Sequence, residues 1–133
     1  MKTITVVSND KVGLLADISY VLGKARVNIE SISGDVVSDK SIIVLSLSDA
    51  DKGKNVLENS GYEVAEKNSI VVKLRDEPGE LARITDMLSR EKVNIGNVHM
   101  LSKDPKDTVL SIEVDRPRRA TTLLQQYMIG NEE

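Results

Sequence analysis

Short β-branched runs alternate along the chain with apolar positions spaced three or four residues apart, and the alternation occurs twice. Ile4-Thr5-Val6-Val7 and Ile70-Val71-Val72-Lys73-Leu74 have the composition of central strands. After each run the period lengthens to that of a helix. Leu15, Ile18, Leu22 and Ala25 share one helical face in the first half, and Leu81, Ile84 and Leu88 share one in the second. The leucines and isoleucines of both sets read as core. Pro78 fits the first turn of the second-half helix, where a missing N–H costs nothing. Residues 27–37 and 93–101 read as second strands that open on Val-Asn-Ile, and residues 41–48 and 108–114 as third strands. Asp49 and Asp115 are placed to cap second helices, which Gly61 and Gly130 would end.

The two halves are copies. Residues 10–33 lie over residues 76–99 at a constant offset of 66, and nine of the 24 positions are identical: Asp10/Asp76, Gly13/Gly79, Leu15/Leu81, Ala16/Ala82, Ile18/Ile84, Leu22/Leu88, Val27/Val93, Asn28/Asn94 and Ile29/Ile95. With one residue removed, the match resumes at Val44-Leu45-Ser46-Leu47 over Val109-Leu110-Ser111-Ile112. Each copy reads strand, helix, strand, strand, helix. Tyr62-Glu63-Val64-Ala65 can add a fourth strand to the first copy, whereas only Asn131-Glu132-Glu133 follow Gly130. The expected class is therefore α+β: two ferredoxin-like βαββαβ units, residues 1–67 and 68–133, each an antiparallel sheet with its helices on one face. The second unit is expected to lack its last strand, which leaves an open edge at residues 69–74 for another chain or the C-terminus to cover.

Composition narrows the function. Of 133 residues, 40% are hydrophobic and 29% charged, the balance of a folded globular protein. Three tyrosines are the whole aromatic complement, so the core must be aliphatic and little is available to stack on bases. The absence of cysteine removes disulfides, thiolate metal sites and cysteine nucleophiles. A single histidine, His99, removes histidine-based metal clusters, so neither a metal nor a cofactor is expected. His99 itself reads as a surface or partly buried strand residue. A net charge of −3 argues against nucleic acid, although Arg116-Pro117-Arg118-Arg119 places positive charge where a helix begins, against its dipole. No apolar run reaches membrane-spanning length and the N-terminus lacks signal-peptide form, so a cytoplasmic location is expected.

One motif carries more than composition does. Asp-x-x-Gly-x-Leu-Ala-x-Ile, followed after about ten residues by Val-Asn-Ile on a βαββαβ frame, resembles the ACT domain. Asp76 to Ile84 with Val93-Asn94-Ile95 is the better match; the first copy departs at Val12, where the family often has proline. The resemblance covers residues 1–129 and implies regulation by a small ligand, usually an amino acid held where two such units pair. It points to the loops before the first helices, Asn9, Asp10, Lys11, Val12, Gly13 and Leu14, and Asp76, Glu77, Pro78, Gly79, Glu80 and Leu81. The facing strand elements are Asn28, Ile29, Asn94 and Ile95.

Physical chemistry supports that placement. Helix N-termini carry unpaired N–H groups and partial positive charge, which suit a carboxylate. Gly13 and Gly79 let a ligand approach the main chain, and the asparagines offer both donor and acceptor. Competing readings make Asp10 and Asp76 plain helix caps and the asparagines turn-closing residues. No His-paired nucleophile, phosphate loop or dinucleotide fingerprint is present, so no enzyme is expected. The expectation is a stand-alone regulatory protein that binds an amino acid, forms a homo-oligomer and acts in trans on a protein partner. The alternative is a ligand-free oligomerisation or docking module of the same fold.

Overall fold

The first β-branched run becomes a central strand with partners on both sides, and the second becomes an edge strand whose outer side is met by an isolated bridge. The computed structural model describes residues 3–66 and 68–129, and the chain separates into two units, residues 1–65 and 66–133. The first contains β1 (Thr3–Asn9), α1 (Leu14–Lys24), β2 (Ile29–Val37), β3 (Lys40–Leu47), α2 (Ala50–Asn59) and β4 (Glu63–Val64). Its antiparallel sheet has the order β2-β3-β1-β4. The second contains β5 (Ser69–Arg75), α3 (Glu80–Arg90), β6 (Ile95–Lys103), β7 (Asp107–Val114) and α4 (Pro117–Leu123), with sheet order β5-β7-β6. The architecture is α+β with ferredoxin-like repeats, and β2 and β6 are edge strands in their sheets.

Each core is an aliphatic layer between helices and sheet. Ile4 and Val6 of β1 and Ile43, Leu45 and Leu47 of β3 meet Leu14, Ile18 and Leu22 of α1 and Leu57 of α2. Ile70, Val72 and Leu74 of β5 and Leu110, Ile112 and Val114 of β7 meet Ile84 and Leu88 of α3, with Ala120 and Leu124. Leu15 and Leu81, expected in the core, are 50% and 44% exposed. The helical face runs one position earlier: Leu14, Ile18 and Leu22 follow i, i+4, i+8, and Leu15 falls beyond the stripe.

The first and third helices stop by the same device. The N–H groups of Arg26 and Val27 donate to the carbonyls of Gly23 and Leu22, at 3.0 and 2.9 Å. Lys92 and Val93 repeat this on Ser89 and Leu88, at 3.0 and 2.9 Å. These are Schellman closures, in which buried Val27 and Val93 pack back on the helix. The left-handed residue is not glycine in either: Arg26 has φ 63° and Lys92 φ 62°. Lys92→Gly should therefore raise stability by about 0.5–1 kcal/mol, since glycine occupies this region without a Cβ penalty. Equilibrium urea unfolding measures it, and a loss of stability would show that the backbone there is not strained. At Gly61, φ 94°, glycine does end α2 as expected.

Other expectations shift. Asp49 caps α2, its Oδ1 accepting from the Lys52 N–H at 3.1 Å. Asp49→Ala should cost about 1 kcal/mol in the same unfolding measurement. Asp115 does not cap α4; Arg116 holds that position and Asp115 Oδ1 accepts from the Asn94 N–H at 2.9 Å. This repeats the bond of the Asn28 N–H to Ser48 Oγ, also 2.9 Å, so each side chain joins the start of one strand to the end of its neighbour. The positive charge at α4 is partly met, because Arg119 pairs with Glu91.

α4 ends at Leu123 and gives way to a 3-10 turn, Gln125–Tyr127, so the helix does not run on toward Gly130, which lies outside the described residues. The chain then returns to the edge of β5. Met128 forms a bridge with Val72, and the Ile129 N–H reaches the Val71 carbonyl at 3.4 Å. This is the place that Val64 takes beside Val6 in the first unit. The edge at residues 69–74 is thus met at its centre by the tail, although no fourth strand forms among the described residues.

The strand register also corrects the repeat. Val7 pairs with Ile42 and Lys73 with Val109, so the third strands correspond at an offset of 67. Relative to the first copy, the second has gained a residue. It is absorbed where the β6–β7 register shifts between Met100 and Ser102, a bulge at Leu101.

Candidate ligand-binding site

The Asp-x-x-Gly segments are tight turns that lead into helices. In the first unit the Leu14 N–H donates to the Lys11 carbonyl at 3.3 Å, and in the second the Glu80 N–H donates to the Glu77 carbonyl at 3.2 Å. Gly13 and Gly79 occupy the third position of these turns at φ 86° and 85°, the left-handed geometry of a type II turn. Val12 and Pro78 precede them, a position that proline suits but does not require. The helices begin at Leu14 and Glu80, so Pro78 lies two residues before α3, not in its first turn. Neither helix has a side-chain cap, so Asp10 and Asp76 do not have the capping role considered for them. Their own N–H groups instead donate to the hairpin carbonyls of Asp39, at 2.8 Å, and Lys106, at 2.9 Å.

In the first unit this turn forms one wall of a cleft of about 570 Å³. Asp10, Lys11, Gly13 and Leu14 line it from the loop, and Leu15 and Ala16 from the first turn of α1. The opposite wall is the edge strand β2, from Ile32 to Val36, and the floor includes Ser41 and Ile43 of β3. The composition is mixed. Leu15, Ile32 and Val36 are 50%, 46% and 50% exposed, an apolar surface between charged ends. Lys11 Nζ lies 3.6 Å from Asp17 on α1, while Asp10 and Asp35 supply carboxylates.

Other residues singled out by the motif lie elsewhere. Val12 is fully exposed at the tip of the turn, and Asn9 Oδ1 accepts from Lys40 Nζ at 2.9 Å. Asn28 is tied to Ser48, and Ile29 packs beside the core, so neither lines the cleft. On the strand side the lining comes from Ile32–Val36, three residues and more beyond the Val-Asn-Ile. The signal for it is an edge strand whose apolar face continues past the helix that covers its neighbours.

The second unit holds the equivalent loop differently. Asp76 lies 3.5 Å from Lys103 and Glu77 3.7 Å from Arg75. Glu80, at the place of Leu14, is paired with Arg83, whose guanidinium stands 5.4 Å from the centre of the Tyr127 ring. The hydrogen bond to Glu80 raises the Arg83 pKa above its ordinary value. Pro78 and Gly79 form the turn, and Leu81 is exposed. Asn94 is held by Asp115, with Ile95 packed beside the core. His99 is exposed, its Nε2 3.1 Å from Asn97 Nδ2. Among the described residues no helix is long and apolar enough to cross a membrane, and no group of three or more carboxylates and histidines could hold a metal ion.

No family model and no curated protein matches the chain. Among solved structures it is similar to protein BT0572 from Bacteroides thetaiotaomicron, with 21% identity and TM-score 0.48 over 93% of this chain and 85% of that one. It is similar to the ligand-free regulatory subunit of aspartate kinase from Thermus thermophilus, with 14% identity and TM-score 0.42 over 93% and 90%. It is also similar to the small subunit of acetolactate synthase from Thermotoga maritima, with 13% identity and TM-score 0.40 over 98% and 89%. The chain's own pattern is two ferredoxin-like repeats, each entering its first helix through Asp-x-x-Gly and its second strand through Val-Asn-Ile, and it is in this pattern that it resembles the ACT domain.

Proposed function

We propose that this protein is a regulatory ACT-type protein that binds a free amino acid and transmits its presence to a protein partner. The cleft of the first unit is the observation that carries the reading. Its volume falls within the roughly 300–1,000 Å³ of small-molecule sites. Its lining matches the three parts of an amino acid. The uncapped first turn of α1 and the Lys11 ammonium suit the carboxylate, and Asp10 and Asp35 suit the ammonium. Leu15, Ile32 and Val36 offer apolar contact to the side chain.

Nothing in this arrangement calls for a bond to be made or broken, and the consequence of binding is mechanical. A ligand seated between the loop and β2 adds a tie between elements already joined where the Asp10 N–H meets the Asp39 carbonyl. Stiffening that edge alters what a partner meets there, which is how a bound molecule biases an association.

A thermal-unfolding screen of the twenty amino acids at millimolar concentration tests the reading. One or a few should raise the midpoint, as a ligand that binds only the folded state must. A flat response to all twenty would remove it and leave the fold as a docking module.

A further inference from the structure

Comparing the two repeats position by position, we infer that only the first unit holds ligand, so that each chain binds one amino acid, with an aliphatic side chain. The inference rests on the amino-acid reading and specifies where and how often binding occurs.

The copies share a frame but differ at the places that make the cleft. Gly34 lines it in the first unit and brings no side chain to it, because β2 runs so close to β3 there that a Cβ would stand 2.5 Å from the Ile42 carbonyl oxygen. At the offset of 66 its counterpart is Met100, which pairs with Leu110 as Gly34 pairs with Ile43 and carries a long side chain at that station. Leu14, an apolar part of the lining, is replaced by Glu80, a carboxylate already engaged by Arg83 and only 14% exposed. The loop charge differs too. Residues 10–14 carry one acid and one base, Asp10 and Lys11, a pair that complements a zwitterion. Residues 76–80 carry three acids, Asp76, Glu77 and Glu80, and no base of their own, and each acid is already paired with a base outside the loop, Lys103, Arg75 and Arg83, so the loop offers a zwitterion no such matched pair. The bulge at Leu101 further offsets the end of β6 from the position that β2 takes.

Selectivity follows from the apolar surface of the first unit. Leu15, Ile32 and Val36 are the part of the lining that gives a side chain dispersion contact and no hydrogen-bond partner, so a polar side chain lying against them loses water without replacement. An aliphatic one gains by burial.

Isothermal titration of the full chain with L-leucine, L-isoleucine, L-valine and L-methionine, each alone, tests the inference. The wild type should show one site per chain for at least one of them. Ile32→Asp, in the first unit, should weaken that binding at least tenfold, and the milder Ile32→Thr should weaken it in the same direction. Val98→Asp, at the equivalent place on β6, should leave affinity within twofold and stoichiometry at one. Ile32 and Val98 are 46% and 40% exposed, so both aspartate variants should keep the wild-type circular dichroism spectrum. Two sites per chain, or a loss on Val98→Asp matching that on Ile32→Asp, would overturn this inference and spare the amino-acid reading. Absence of binding by any of the twenty amino acids would overturn both.

Discussion

Truncating Leu22 to alanine is expected to lower stability by about 2–5 kcal/mol, a large share of the roughly 5–15 kcal/mol that holds a typical domain. Leu22 is fully buried and does two things at once. Its carbonyl accepts the Val27 N–H that closes α1, and its side chain lies under α2. There Gly53 passes so close that an added Cβ would fall 2.3 Å from Leu47 Cδ1 and 3.4 Å from Leu22 Cδ2. The two leucines therefore fill the space that the glycine leaves, and α2 has no side chain at that point to move into a cavity. Leu88→Ala should cost a similar amount under α4, where Ala120 is the small buried residue. Equilibrium urea unfolding followed by circular dichroism measures both. A loss below about 1 kcal/mol at Leu22 would mean that the helix settles onto the sheet and that the layer is less tightly packed than described.

The elements were legible in the residues because each depends on a short, local pattern. Val6 sits in a β-branched run, Gly61 follows an amphipathic helix, and Asp49 precedes one; all three are found in the roles those patterns imply, while the run of Val72 forms a strand at the edge of its sheet and not at its centre. What depended on a neighbour in space was less legible. Leu14 and Leu15 are adjacent leucines, and only the angle at which the type II turn delivers α1 decides that Leu14 turns inward. Asp115 has the chemistry of a cap but spends it on the Asn94 N–H, because β6 begins alongside. The offset of the third strands could be misread because the run Val-Leu-Ser-Leu in one copy and Val-Leu-Ser-Ile in the other mimics a deletion, whereas cross-strand pairing shows an added residue at the bulge. Arg26 and Lys92 hide a helix stop that glycine would have announced.

The site shows the same division. The loop half of the candidate cleft is local, since Asp10, Lys11, Gly13 and Leu14 are neighbours in sequence and all line it. The strand half is not, because Ile32, Gly34 and Val36 are separated from the loop by the whole of α1 and meet it only through β3. Even the glycine in Asp-x-x-Gly has a structural duty that explains it fully, the left-handed third place of the turn. Its presence in both copies therefore does not distinguish a loop that binds from one that only turns. The distinction lies in what surrounds the turn, Leu14 and Gly34 in one copy and Glu80 and Met100 in the other.

Gly34→Val is expected to destabilise the first unit by about 1–3 kcal/mol, while Met100→Val at the matching station should change stability by less than about 0.5 kcal/mol. A Cβ at Gly34 would stand 2.5 Å from the carbonyl oxygen of Ile42 and 3.3 Å from the Ile43 Cα. Those are backbone atoms of β3, a strand fixed on its other side by β1, so they cannot yield as the end of a side chain can. The strain must instead be taken by β2, an edge strand free to part from its neighbour. Met100 is 59% exposed and already carries a Cβ beside β7, so valine there trades one apolar side chain for another on the surface. Urea unfolding of both variants gives the comparison, with amide hydrogen exchange in β2 as the local readout. Faster exchange confined to Ile32–Val36 and their β3 partners is the expected signature of Gly34→Val. Equal stability of the two variants would show that the β2–β3 spacing does not depend on the missing side chain. The close approach of the two backbones at Gly34 would then have no bearing on stability.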